Sequence, residues 1–229
     1  MKILKLILGV LLIHSCSKNQ IDFTPKKVMT CNDFSFEYVG DKLYKIHYLS
    51  VNSNYIKFIY SDTIITQIEY YIDNKLDTRT YLYYNKENNI ITEIDTTFQD
   101  YGRYNQERRV YNYISPDEVD LTVISNDWQD TVLRTNWLKK YTYKNGNLIQ
   151  IKTKNRIESF EYDNFINPFY YIKGLNKLKY FSIFGNSILL NNKNNVIKFN
   201  TLIQSIQYNE RNQPISFYWD KELIASFSY

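Results

Sequence analysis

Apolar and polar residues alternate with a period of two over most of the chain beyond residue 33. Phe34, Phe36 and Tyr38 are separated by polar or small residues. The same alternation occurs in the segments 44–48, 56–60, 68–72, 119–123, 215–219 and 223–229. Because successive side chains of a strand point to opposite faces, this pattern predicts half-buried β-strands.

Short turn-forming clusters separate these runs, among them Asp73-Asn74 and Asn145-Gly146. The chain has only 6 Gly, but Asn and Asp also tolerate the left-handed conformation that tight hairpins need. We therefore predict an all-β fold in one domain, 33–229. In this fold, an antiparallel meander of repeated hairpins forms a large twisted or curled sheet. The pattern fits an open sheet and a closed barrel equally well.

A half-unit recurs along the meander. It consists of aromatic-x-Tyr, a short polar turn, an aliphatic residue, and another aliphatic residue three or four positions later. The segments 36–46 and 141–151 are clear copies, and a period near 20 residues corresponds to one hairpin. In the second copy, we expect Tyr143 to pack in the core against Ile149 and Ile151. The alternative places Tyr143 on a ligand surface.

Two of these segments resemble the YD repeats of Rhs-type proteins: Tyr143-Lys144-Asn145-Gly146-Asn147-Leu148 and Tyr162-Asp163-Asn164. Together with the hairpin at 208–215, the region 141–219 is similar to a group of Bacteroidetes lipoproteins with YD-like repeats. Those proteins are largely of unknown function. The resemblance implies stacked hairpins, and it implies almost nothing about chemistry because its residues form turns and pack strands.

Residues 168–190 interrupt the alternation. Leu175, Leu178, Phe181 and Ile183 have roughly helical spacing. We therefore expect a loop with one short helix in this region, packed over one face of the sheet.

The N-terminus has the features of a bacterial export signal. Lys2 and Lys5 accompany an apolar stretch, 6–13, that is too short to span a bilayer. Ile13-His14-Ser15-Cys16 resembles a lipobox, which implies that residues 1–15 are removed as a signal peptide and that Cys16 carries lipid. Residues 16–32 would then be the lipidated Cys and a flexible tether. The implied location is the outer membrane, with periplasmic and surface orientation both open, and a plain secreted protein is the alternative.

Composition and charge exclude several classes of function. The 28 basic and 24 acidic residues give +4, which falls to +2 without the leader, too little and too dispersed for nucleic-acid binding. With Cys16 lipidated, Cys31 has no disulfide partner, so we expect it to be a buried free thiol. His47 is the only His beyond the leader, so a multi-histidine zinc site is excluded and no cofactor is expected. We expect His47 to be an outward-facing or satisfied strand residue.

Two carboxylate pairs, Glu93 with Asp95 and Glu161 with Asp163, have the spacing that places both groups on one face of a strand. Glycoside hydrolysis needs two carboxyl groups. Isoleucines occupy the opposite face near the first pair, so we expect Glu93 and Asp95 to face solvent, and we expect Asp163 to lie in a turn. We therefore assign no catalytic residue.

The aromatic content is high, with 23 Tyr, 13 Phe and 3 Trp. The tyrosine pairs at 70–71, 83–84 and 170–171 place one ring on each face of the sheet. Tyrosine combines an apolar ring with a polar tip, which suits contacts with sugars and with proteins.

These observations favour a lipid-anchored envelope protein that is not an enzyme and acts as a binding scaffold for a protein or glycan partner. The first alternative is a purely structural or assembly role in the envelope, and a hydrolase is the third. A contiguous aromatic patch or groove would favour binding, whereas an evenly polar outer face would favour the structural role.

Overall fold

The chain folds almost entirely into antiparallel strands, which confirms the predicted fold class. The computed structural model describes residues 27–98, 104–126, 134–178, 182–183, 188–189 and 191–229. The strands are β1 (Thr30–Cys31), β2 (Phe34–Val39), β3 (Lys42–Tyr48), β4 (Tyr55–Ser61), β5 (Ile64–Ile72), β6 (Lys75–Tyr84), β7 (Ile90–Phe98), β8 (Tyr104–Ser115), β9 (Glu118–Asn126), β10 (Arg134–Lys144), β11 (Asn147–Lys152), β12 (Ile157–Ile166), β13 (Ser182–Ile183), β14 (Ile188–Leu189), β15 (Asn194–Phe199), β16 (Leu202–Tyr208), β17 (Pro214–Trp219) and β18 (Glu222–Ser228).

All of these strands except β13 and β14 pair in chain order and close into a barrel. The closing strand is β1, which pairs with β2 on one side and with β18 on the other. Val28 and Cys31 are buried, so the barrel begins before the expected boundary at residue 33. The leader 1–15 and Cys16 lie outside the described residues, and among the described residues no helix is long and apolar enough to cross a membrane.

The barrel has two ends, which differ in their turns. The tyrosine end carries the turns at 40–41, 62–63, 85–89, 116–117, 145–146 and 209–213, and the far end carries those at 49–54, 73–74, 153–156, 200–201 and 220–221. Asn and Asp residues adopt positive φ in many of them, as at Asp73, Asn88 and Asn145, so the expected substitution for glycine is confirmed.

A β-bulge follows several turns at the tyrosine end. In β11, for example, Tyr143 pairs with Leu148 while Thr142 pairs with Gln150, which leaves Ile149 as an extra residue. Leu148 and Ile151 are therefore the buried residues, and the expectation that Ile149 and Ile151 share the core face is wrong. The inward positions are three residues apart here, instead of the two of a regular strand.

The same register shift occurs in four other return strands. Each places two inward residues three positions apart: Leu43 and Ile46 in β3, Ile65 and Ile68 in β5, Ile90 and Glu93 in β7, and Pro214 and Phe217 in β17.

Tyrosine hydroxyls join neighbouring hairpins at this end. The ladder between β5 and β6 ends at Gln67 and Tyr81, and beyond it Tyr84 Oη donates to the carbonyl of Ile65. This bond is 2.5 Å long. Three equivalent bonds run from Tyr113 to Ile90 (2.8 Å), from Tyr162 to Leu148 (2.5 Å) and from Tyr229 to Pro214 (2.7 Å). Each acceptor is the first inward residue of a return strand, so a side chain replaces ladder bonds where the hairpins separate.

Tyr143 belongs to the same layer of rings and packs against the buried core. Burial raises the pKa of its hydroxyl well above the usual value, as expected for a ring enclosed by neighbours. These contacts support the expected core role of Tyr143.

A segment between β12 and β15 fills the tyrosine end and is called here the plug (residues 167–178). Its only described helix is one 3-10 turn, Leu175–Lys177, in the region where a short helix was expected. Phe169 is fully buried, with its ring centroid 5.2 Å from that of Phe36 and 6.3 Å from that of Phe227. The residues 179–181, 184–187 and 190, which include Phe181, lie outside the described part.

Two asparagines just before β15 bond to the barrel and to the end of the plug. Asn192 accepts from the amide of Leu148 (2.9 Å) and donates to Tyr162 Oη (3.1 Å). Asn191 donates to the carbonyl of Leu178 at the end of the plug (3.0 Å). Two of these bonds satisfy buried backbone groups, the amide of Leu148 and the carbonyl of Leu178.

Replacing Tyr84 with Phe is expected to lower the free energy of unfolding by about 1 kcal/mol, because it leaves the buried carbonyl of Ile65 without its donor. The matched control is Tyr83→Phe on the same strand, since the Tyr83 ring is exposed on the outer face. Urea unfolding of both variants measures the difference. Equal stability of the two variants would show that the hydroxyl bonds do not stabilise the barrel.

Candidate functional site

A cavity of about 960 Å³ lies inside the barrel. Side chains from β2 to β10 form its wall, and Leu178 of the plug contributes at one side. Asn54 and Asp77 also line it, so it extends to the turns of the far end. This volume is within the range of pockets that bind small ligands.

The charged part of the wall comes from two adjacent strands, β7 and β8. Glu93 lies opposite Arg109 in the ladder, and Asp95 lies opposite Glu107. All four residues line the cavity. The strand pairing therefore concentrates three carboxylates and one guanidinium on one patch of the interior.

Arg109 is the centre of this cluster. One of its terminal nitrogens is 2.6 Å from Asp95 Oδ2 and 3.3 Å from Glu93 Oε2, and the other is 2.5 Å from Glu107 Oε1. Burial alone would lower the pKa of Arg109, but the charges of Asp95, Glu93 and Glu107 outweigh burial and raise it. Arg109 is therefore a permanent cation held by three acids.

Glu93 is the most enclosed carboxylate of the cluster, with 12% of its side chain exposed. Burial raises its pKa above the usual 4.5, and the charge of Arg109 and a hydrogen bond from Tyr111 oppose that rise. Its ladder neighbour on the other side is the buried Leu82. Keeping Glu93 ionised at this buried position therefore lowers the stability of the folded state.

The expectation that Glu93 and Asp95 face solvent is wrong. The extra residue Ile91 shifts the alternation of β7, so the odd-numbered positions after it face the interior. The signal that could have shown this lies in the repeat. At the position of Glu93, the other bulged return strands carry Ile46, Ile68, Ile151 and Phe217, all of them buried.

The two residues of the second carboxylate pair, Glu161 and Asp163, have different surroundings. Asp163 lies within β12, not in a turn, and accepts hydrogen bonds from Tyr208 Oη and from the amide of Asn195 (3.1 Å). Glu161 is exposed and pairs with Lys198 (2.5 Å). Asp163 therefore stabilises the junction of β12, β15 and β16, and Glu161 lies on the surface.

His47 and Cys31 are placed as expected. His47 is partly exposed and lies 3.2 Å from Glu37 Oε2 on the neighbouring strand. Cys31 is a fully buried free thiol, and burial raises its pKa to about 12. Within the described ranges, no group of three or more His, Cys, Asp and Glu residues could hold a metal ion.

The tyrosine pairs at 70–71 and 83–84 lie in strands of the barrel wall, whereas the pair at 170–171 lies in a turn of the plug, so the expectation of one ring on each sheet face is wrong for that third pair. Tyr70 and Tyr71 both contribute to the lining of the cavity, and the hydroxyl of Tyr71 donates to Glu69 (3.0 Å). Tyr71 also stacks on Tyr55, with ring centroids 4.4 Å apart. Tyr84 packs against the core, and Tyr83 is exposed.

Comparisons with known proteins add no assignment: no protein-family model matches the chain, and no curated protein matches it significantly.

Replacing Glu93 with Gln is expected to raise the melting temperature at pH 8 and to leave it almost unchanged at pH 4. The folded pKa of Glu93 is raised, so the folded state has the advantage below the usual pKa of 4.5 and loses it as the pH rises through the folded value. Gln has no charge to bury, so it avoids this loss. Thermal melts across this pH range provide the measurement.

Glu210→Gln is the matched control, because Glu210 is exposed in the turn between β16 and β17. The melting temperature of the control is expected to equal that of the wild type at both pH values. A Glu93→Gln gain that is the same at both pH values would contradict the assignment of an ionised, buried Glu93.

Proposed function

We propose that this is a lipid-anchored cell-envelope protein whose barrel binds a short glycan in its interior cavity. The observation that carries the proposal is the cavity itself, with tyrosine rings and fixed charges on the same wall. Sugars present apolar ring faces and many hydroxyl groups, so such a wall offers both the stacking and the hydrogen bonds that they need.

The interior position of the site favours a glycan over a protein partner. The strands close around the cavity, and a folded protein cannot enter a space of about 960 Å³. A short saccharide fits the usual size of small-ligand pockets. The groove that would favour binding is thus on the inside of the barrel.

Glu93 argues against a purely structural role. A barrel selected only for stability would place an apolar residue at this position, as β3, β5, β11 and β17 do. Proteins depart from their packing rules mainly at functional sites. The buried charge of β7 therefore supports a binding role.

A glycoside hydrolase is the second candidate, because Glu93 has a raised pKa and lies near the carboxylate Asp95. Arg109 contacts both groups and favours their ionised forms, which opposes proton donation by Glu93. Binding without turnover is therefore the preferred function. Release of reducing sugar from a bound glycan would reverse this order.

Filling the cavity is expected to abolish glycan binding. Thr80 is buried in the cavity wall opposite Asp95, so Thr80→Phe places a ring in the ligand space. Thr92 pairs with Tyr83 on the outer face of β7, so Thr92→Phe is the matched control. The measurement is the glycan-array signal of the full-length chain and both variants, with circular dichroism to verify the fold. Retained binding by a folded Thr80→Phe variant would place the site elsewhere.

The lipid anchor is tested separately. Cys16→Ser is expected to abolish incorporation of radiolabelled fatty acid, because the lipobox-like segment 13–16 would lose the thiol that is acylated. Wild-type protein expressed in parallel provides the reference. Equal labelling of the two chains would refute the lipoprotein assignment and leave the cavity proposal intact.

A further inference from the structure

The charges that line the cavity are not balanced. Asp77, Glu93, Asp95 and Glu107 are acidic, whereas Arg109 and Lys139 are the basic residues of the wall. Among the described residues, four carboxylates thus face two cations in a space partly shielded from water. The described part of the wall consequently has a surplus of negative charge, which attracts cations more strongly than an open surface does.

Arg109 is not available to bind an anionic ligand. Both of its terminal nitrogens already contact carboxylates, at distances of 2.5–3.3 Å. An incoming carboxylate or sulfate would have to displace one of these partners. It would also bring another negative charge to a site that already has three around one guanidinium.

The carboxylates, in contrast, are incompletely compensated. Asp95 uses Oδ2 for Arg109, while its buried Oδ1 has no hydrogen-bond donor among the described residues. Glu107 has 37% of its side chain exposed, and its described ion pair is with Arg109 alone. Glu107 can therefore accept a charge-assisted hydrogen bond from a ligand cation, and Asp95, with 17% of its side chain exposed, places an incompletely compensated negative charge beside it.

Aromatic rings line the same wall. Tyr70, Tyr111 and Tyr141 face the cavity from β5, β8 and β10. The face of such a ring attracts an ammonium group, and the attraction is stronger where water is excluded. The rings and the carboxylates thus select the same kind of chemical group.

We propose that the cavity recognises a ligand that carries a free ammonium group, held by Asp95 and Glu107 and covered by tyrosine rings. This inference rests on the proposed glycan-binding function and narrows it to an amino sugar without N-acetylation. The ammonium group supplies the charge that the wall lacks.

Isothermal titration calorimetry on the full-length chain in detergent, at pH 6.5, tests this with three disaccharides of similar size. They are diglucosamine, which carries two free amines, its neutral N-acetylated form chitobiose, and the anionic digalacturonate. We expect diglucosamine to bind at least about tenfold more tightly than chitobiose, because one additional charge-assisted hydrogen bond gives an affinity gain of about that size. We expect digalacturonate not to bind.

The variants Glu107→Gln and Asp95→Asn are each expected to weaken the binding of diglucosamine about tenfold. Their affinity for chitobiose is expected to stay within about twofold of the wild-type value. Glu210→Gln, which removes one carboxylate from an exposed turn, is the control and should bind like wild type. Melting temperatures establish that each variant is folded, and either variant suffices if the other unfolds.

The outcomes separate the two proposals. Chitobiose binding as tightly as diglucosamine, or digalacturonate binding best, would overturn the ammonium inference while the glycan-binding function stands. Binding of none of the three would overturn the ammonium inference, and an empty glycan array would in addition overturn the glycan-binding function. Diglucosamine affinity that both folded variants retain would show that these carboxylates do not hold the cation.

Discussion

The β-bulge after the turns of the tyrosine end is the constraint on which the rest of the structure depends. It changes the spacing of inward residues from two to three in β3, β5, β7, β11 and β17, and thereby decides which side chains of these five return strands enter the barrel. It also coincides with the separation of neighbouring hairpins, where tyrosine hydroxyls take over from ladder bonds, as Tyr84 does at Ile65. Packing, hydrogen bonding and the content of the interior all follow from this local feature.

The interior is consequently built from one repeated unit with one polar departure. Most bulged strands direct aliphatic or aromatic residues inward, which gives a continuous core closed at one end by the plug. Strand β7 instead directs Glu93 and Asp95 inward, and Arg109 of β8 meets them. Burying this cluster lowers the stability of the folded state, whereas an apolar wall would not. Its position beside a cavity is the reason why we relate this cost to the proposed binding of a ligand.

Much of the fold follows from the sequence, because alternation and turn chemistry are local signals. The strands, the hairpins and the use of Asn in place of Gly were predictable from single segments. Barrel closure was not, since β1 is only two residues long and pairs with the other end of the chain. The site was missed for a different reason: the one-residue shift at Ile91 reverses the face of Glu93, and strict alternation cannot represent a bulge.

The face on which β7 presents its residues can be measured directly by cysteine labelling. In a Cys16→Ser background, Cys31 is the one native thiol and is buried, so single cysteines introduced by Asp95→Cys and Thr96→Cys can be followed. Thr96→Cys is predicted to react with a small methanethiosulfonate and with a polyethylene-glycol maleimide too large for the cavity. Asp95→Cys is predicted to react with the small reagent alone. Reaction of Asp95→Cys with the large reagent, and protection of Thr96→Cys, would contradict the bulge-directed interior.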